Sequence, residues 1–119
     1  MRKREMSMTF YKIGSYYNRE PTGTVYSSYQ IGLNKAALIF MKLTESCFVL
    51  LGYDEETETI GIKLLKKPEA GARRLCIAQG HGAITAKGFF EYFNIKVKNT
   101  KRATLVKEKE FYCFSIKQQ

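Results

Sequence analysis

A chain of 119 residues, 45% of them apolar, is one domain's worth of protein and can build a core, while 20 Lys and Arg against 11 Asp and Glu leave a net charge of +9. That apolar content excludes a disordered basic tail, and no apolar run approaches the roughly eighteen residues of a membrane span. Cys47, Cys76 and Cys113 are odd in number, far apart and set in apolar stretches, which argues against a disulfide framework or a zinc site and for reduced thiols in the cytoplasm.

The chain opens with Met1-Arg2-Lys3-Arg4-Glu5, a basic arm to about Met6 with no apolar segment behind it, so it does not read as a secretory signal. A first strand is expected over 9–17, ended by the turn sequence Asn18-Arg19-Glu20-Pro21-Thr22-Gly23. One continuous strand is expected over 24–33. Asn34 is a suitable N-cap for a short helix over about 34–41, although Leu38-Ile39-Phe40 is apolar on every side and calls for burial or a partner chain.

Cys47–Tyr53 is an unbroken apolar run, suited to a buried strand. Asp54-Glu55-Glu56-Thr57 is a turn, and Glu58–Leu65 alternates with Ile60, Ile62 and Leu64 on one face, giving the strongest hairpin of the chain. The stretch 66–74 reads as a loop, 75–78 as a short strand and Gln79-Gly80-His81-Gly82 as a second loop. An amphipathic helix follows over 85–94, capped by Thr85, striped by Ala86, Phe89, Phe90 and Phe93, and stopped at Asn94. Strands are expected near 95–98, 103–107 and 110–116. The fold class that results is α+β, a mostly antiparallel sheet or small barrel with two helices, in one domain spanning 1–119 with no internal repeat.

Catalytic chemistry finds little support. His81 is the lone histidine, between two glycines, with no nucleophile or orienting acid in a local motif. Gly80 and Gly82 could let backbone N–H groups converge on an anion with His81 beside them, but the sequence is not a Walker loop. The acids at 54–58 lack the spacing and glycine of a calcium loop, and no CxxC pair occurs. The expectation is therefore a chain without enzymatic activity, metal or cofactor.

Its charge points to a polyanion. Arg2, Lys3 and Arg4 form one basic group, Lys66, Lys67, Arg73 and Arg74 a second, and Lys96, Lys98, Lys101 and Arg102 a third. Lys and Arg neutralise phosphates and so give affinity without sequence information. Tyr11, Tyr16, Tyr17 and Tyr26 on neighbouring strands are candidates to stack on unpaired bases, although cross-strand packing is the commoner role of tyrosine. The acidic turn at 54–58 should repel phosphate. The expected function is nucleic-acid binding, with DNA favoured over RNA, by a small bacterial or viral regulator of transcription or accessory factor. The alternative is an interaction module, inhibitor or assembly subunit docking on an acidic partner.

The order Ile31-Gly32-Leu33, Asn34–Met41, Leu43-Thr44-Glu45-Ser46, Cys47-Phe48-Val49 and Ile60-Gly61-Ile62-Lys63 resembles the AbrB/MazE/SpoVT group of swapped-hairpin DNA-binding domains, over Ile31–Lys66. In that group a short strand leads to a helix of one or two turns, then a loop, a valine-containing strand, a turn and a strand ending Ile-x-Ile-Lys. The resemblance implies DNA binding and an intertwined homodimer formed through Leu38–Met41. Asn34, Leu38 and Ser46 stand where the family has Pro, Arg and Gly, so its DNA-contacting arginines do not transfer; Lys35 and Lys42 are the basic residues left there.

Overall fold

The structure, a computed structural model, describes residues 20–117. The strand expected over 9–17 and the arm at 1–6 lie outside the described residues. Strands take 45% of what is described and helices 12%, so the fold is largely β and the α+β expectation is overturned. The reason is length: each helix is only six residues, too short to form a layer of its own.

In chain order the elements are β1 (Thr22–Val25), β2 (Gln30–Leu33), α1 (Lys35–Phe40), β3 (Cys47–Asp54), β4 (Thr59–Leu65), β5 (Arg73–Ala78), β6 (His81–Thr85), α2 (Lys87–Tyr92), β7 (Lys101–Thr104), β8 (Val106–Lys107) and β9 (Tyr112–Ser115). All pairings are antiparallel, in the order β7-β1-β2-β6-β5-β3-β4-β9-β8. β7 and β8 are separated by Leu105 alone. Since β7 bonds to β1 and β8 to β9, one segment carries both edges and draws the sheet into a nearly closed barrel. Closure removes exposed edges that would otherwise template aggregation.

The barrel is built of two related halves, β1-β2-α1-β3-β4 and β5-β6-α2-β7/β8-β9. Hairpins from the two halves alternate around the wall: β1β2, then β6β5, then β3β4, then β9β8. The correspondence is sharpest after each helix. Lys42 N–H donates to Ile39 and Leu43 N–H to Leu38, with Lys42 at φ 60. Asn94 N–H donates to Glu91 and Ile95 N–H to Phe90, with Asn94 at φ 54. Both are the paired bonds that close a helix on a left-handed residue. Ile31 pairs with Ile84 where the halves meet on one wall, and Gly61 with Cys113 where they meet on the other. The two halves therefore repeat one backbone plan with different side chains.

The core is the barrel interior, filled by alternate strand residues. Val25, Ile31, Val49, Ile60, Ile62, Leu75, Ile84, Leu105 and Phe114 are essentially fully buried. α1 packs Ala37, Leu38 and Met41 into it, and α2 adds Phe89 and Phe90. Phe90 stacks against Tyr29 at 5.5 Å, and Tyr53 meets Phe89 at 6.5 Å and Phe93 at 5.5 Å. Burial of a ring of this size stabilises by about 2–3 kcal/mol.

Several local expectations are corrected. The strand over 24–33 is two strands, because Tyr29 at φ 63 closes a turn with its N–H on the Tyr26 carbonyl. The turn contains neither Gly nor Pro. Arg73 and Arg74 begin β5 and are not in a loop. His81 is a strand residue: Gly82 is buried, with Leu38 and Leu75 close over it, so its glycine serves packing and not a loop. Thr85 ends β6, and the cap position of α2 falls to buried Ala86, which makes no side-chain capping bond. Residues 95–98 form no strand.

Candidate nucleic-acid interface

Two walls of the barrel differ in character. The first is the outer face of β5, β6, β2, β1 and β7. A row of small residues crosses it, with Cys76 opposite Ala83, Ala83 opposite Gly32, Gly32 opposite Thr24 and Thr24 opposite Arg102. Alternation of side chains puts Arg74 on this face, two residues from Cys76. The row thus runs from an arginine at one side to an arginine at the other over four strand spacings, on the order of 20 Å around the wall. Between the arginines the row itself carries no large side chain; the Tyr26 ring, 40% exposed, lies against Gly32, and exposed Gln30 and His81 share the face beside the row. The floor is smooth because its residues are Gly, Ala, Cys and Thr.

Arg102 is fixed here by its Nε–H donating to Thr24 Oγ1 at 3.3 Å. Arg73 and Lys101 have the other parity and sit at the rim. The Arg73 guanidinium lies so close to Gly88, at the start of α2, that a Cβ there would approach it to 2.9 Å. Lys101 is half-buried opposite Val25. Lys87 is exposed in the first turn of α2 and faces Glu91 at 4.0 Å, and Tyr92, at the end of that helix, is 81% exposed. Tyr92 escaped the sequence reading, although its position off the Ala86–Phe93 stripe was signal enough to put it in solvent.

The remaining expected residues divide as follows. Lys66 and Lys67 are exposed just beyond β4; Leu65 and Arg74 pair with Phe48 from either side, so one strand separates the two halves of this basic group. Lys96 and Lys98 are exposed in the stretch leading from α2 to β7. His81 shares the outer face of β6 with Ala83 and is exposed. Tyr26 is on the wall, whereas Arg2, Lys3, Arg4, Tyr11, Tyr16 and Tyr17 lie outside the described residues. In α1, Ala36, Ala37, Leu38 and Met41 are core residues, so of the segment expected to join a second chain only Ile39 and Phe40 are exposed. The Phe40 ring is in edge contact with Tyr112 at 5.5 Å.

The second wall, the outer face of β3, β4, β9 and β8, is a groove of about 830 Å³. Asp54 and Thr57 line one end and Glu108 the other, with Leu50, Val106 and Phe111 between. Glu110 stands beside it, 4.0 Å from Lys63. The acids that the sequence put in one turn are joined on the same wall by Glu108 and Glu110, which alternate with Lys107 and Lys109.

Burial raises the Cys47 thiol above its usual range, and burial followed by the charge of Glu108 raises Cys113. Tyr53 is raised by burial, then by Glu58, Glu55 and Asp54. Among the described residues, no group of His, Cys, Asp and Glu is arranged to hold a metal ion, and no helix is long and apolar enough to cross a membrane.

Comparison of the chain with protein-family models, curated proteins and solved structures returns no match.

Proposed function

We propose that the protein binds nucleic acid on the outer face of β5, β6, β2, β1 and β7. One observation carries the reading: Arg74 and Arg102 flank a smooth floor of small residues that holds a half-exposed tyrosine, while the acidic turn at 54–58 is on the other wall. Phosphates pair with Arg74 and Arg102 and, at the edges, with Lys66, Lys67, Lys87 and Lys98. Tyr26, and Tyr92 at the rim, offer ring faces to bases, each worth about 1–3 kcal/mol for an unpaired base. The low floor lets a backbone approach without desolvating buried polar groups. The acidic turn at 54–58 disfavours a polyanion on the opposite wall.

Hairpins from the two halves alternate around the barrel. Both halves here come from one chain, so a second chain is not needed to complete the barrel.

The test is titration of a labelled oligonucleotide, single-stranded and duplex in parallel. Arg74→Glu with Arg102→Glu is expected to weaken binding strongly, whereas Lys63→Glu on the groove wall leaves it unchanged. Equal loss from both changes refutes the placement of the interface.

A further inference from the structure

The groove on the second wall exists because its floor lacks side chains. Gly52 faces Gly61 across β3 and β4, and Gly61 faces Cys113 across β4 and β9. A Cβ at Gly52 would meet nothing within 4 Å, and one at Gly61 would come within 3.3 Å of the Phe111 ring. The walls are apolar, with Val106 46% and Phe111 39% exposed; Asp54 and Glu108 mark the ends, and Lys63, which also lines the groove, is 4.0 Å from Glu110. The matching ligand is an extended segment with aromatic or apolar side chains in its middle and positive charge around them.

The sequence of the chain includes such a segment. Pro21 accepts from Leu105 N–H at 2.8 Å and Thr22 pairs with Thr104, so the described chain begins at the barrel seam, next to the groove residues Thr104 and Val106. The preceding nineteen residues contain Phe10, Tyr11, Ile13, Tyr16 and Tyr17, with Arg2, Lys3, Arg4, Lys12 and Arg19 against a single acid, Glu5. From Glu20 back to Phe10, ten residues span up to about 33 Å extended. The four strands under the groove span only roughly 15 Å.

We propose that this groove is the docking site of the chain's own N-terminal segment, with aromatics from 10–17 over the Gly52–Gly61 floor and basic residues toward Asp54 and Glu108. The proposal is independent of the nucleic-acid reading, which rests on the other wall. It also gives the basic arm a role other than contacting phosphate.

The protein has no tryptophan, so Tyr16→Trp in the full chain places one reporter in the segment. The expected result is a blue-shifted emission, protected from acrylamide and unchanged on dilution. Adding Gly52→Phe, whose Cβ has open space around it, is expected to shift the emission to the red and raise quenching severalfold while the far-UV circular dichroism stays the same. Quenching of the Tyr16→Trp chain as free as that of an unstructured peptide overturns the proposal, as does indifference to Gly52→Phe. Protection that disappears on dilution assigns the groove to a second copy and overturns it equally. If Tyr16→Trp disturbs the fold, Ile13→Trp gives the same readout from the same segment.

Discussion

Replacing Asn34 by Ala removes three hydrogen bonds at one point of the barrel. The Asn34 Oδ1 accepts from Ala37 N–H at 2.8 Å, capping α1, and from Thr22 N–H at 3.0 Å, joining the helix to β1. Its Nδ2–H donates to the Glu20 carbonyl at 3.0 Å. Loss of an N-cap costs about 1 kcal/mol. The half-buried Thr22 N–H, left without its partner, adds about 1 kcal/mol, the low end for an unmet donor because water reaches part of it. The Glu20 carbonyl is exposed and rehydrates at little cost. The total is about 2 kcal/mol, a drop in Tm on the order of 10 °C for a domain of this size. Asn34→Asp keeps both acceptor bonds and adds a favourable charge at the helix start, so its cost stays below about 1 kcal/mol. Urea titration followed by far-UV circular dichroism measures both. A cost under about 0.5 kcal/mol for Asn34→Ala, or equal costs for the two variants, refutes the assignment of Asn34 as the joint between helix and sheet.

Other outcomes follow from the same geometry. Gly23→Ala places a Cβ 2.6 Å from the buried Phe114 ring, and overpacking of this kind costs about 1–3 kcal/mol in the same titration. Tyr92→Ala leaves stability within about 0.5 kcal/mol, since the side chain is in solvent, but weakens single-strand binding by about 1 kcal/mol or more. Thiol titration with a chromogenic disulfide labels exposed Cys76 first, with Cys47 and Cys113 slow. Because the native state holds the protons of those two thiols and of Tyr53 more tightly than the unfolded chain does, their contribution to stability is complete below the ordinary thiol range and declines as pH rises through and above it. Alkaline denaturation curves that show stability rising from about pH 8.5 contradict this sign.

The parts of the fold legible in the sequence were those fixed locally. The β3–β4 hairpin could be read because an apolar run, an acidic turn and strict alternation follow one another. The stop of α2 was legible because Asn94 is a residue that tolerates the left-handed conformation. Four other turn positions, Tyr29, Lys42, Glu58 and Gln79, adopt positive φ without the glycine or asparagine that would announce it, and one of them split an expected strand in two. The glycines around His81 were misleading for the opposite reason. They looked like loop formers, but Gly82 is a strand residue under Leu38.

The basic residues of the candidate interface were legible as types, and their common wall was not. Bringing Arg74 and Arg102 to opposite ends of one row requires the β5–β6, β6–β2, β2–β1 and β1–β7 pairings together, two of which join residues far apart in sequence. Register between such strands is set by burial of Ile31, Ile84, Val25 and Leu75, which no local pattern reports. The two-half architecture was concealed in the same way: Leu38 corresponds to Phe90 and Met41 to Phe93, so backbone bonds repeat where side chains do not.

The most direct test of the central claim is the salt dependence of oligonucleotide binding for the unaltered chain and for Arg74→Gln with Arg102→Gln. The account predicts that log K falls linearly with log salt, and that removing the two arginine charges reduces the slope by about 1.4 on single strands, close to 0.7 for each phosphate no longer neutralised. A salt response that is flat, or a slope that the paired substitution leaves unchanged, contradicts it.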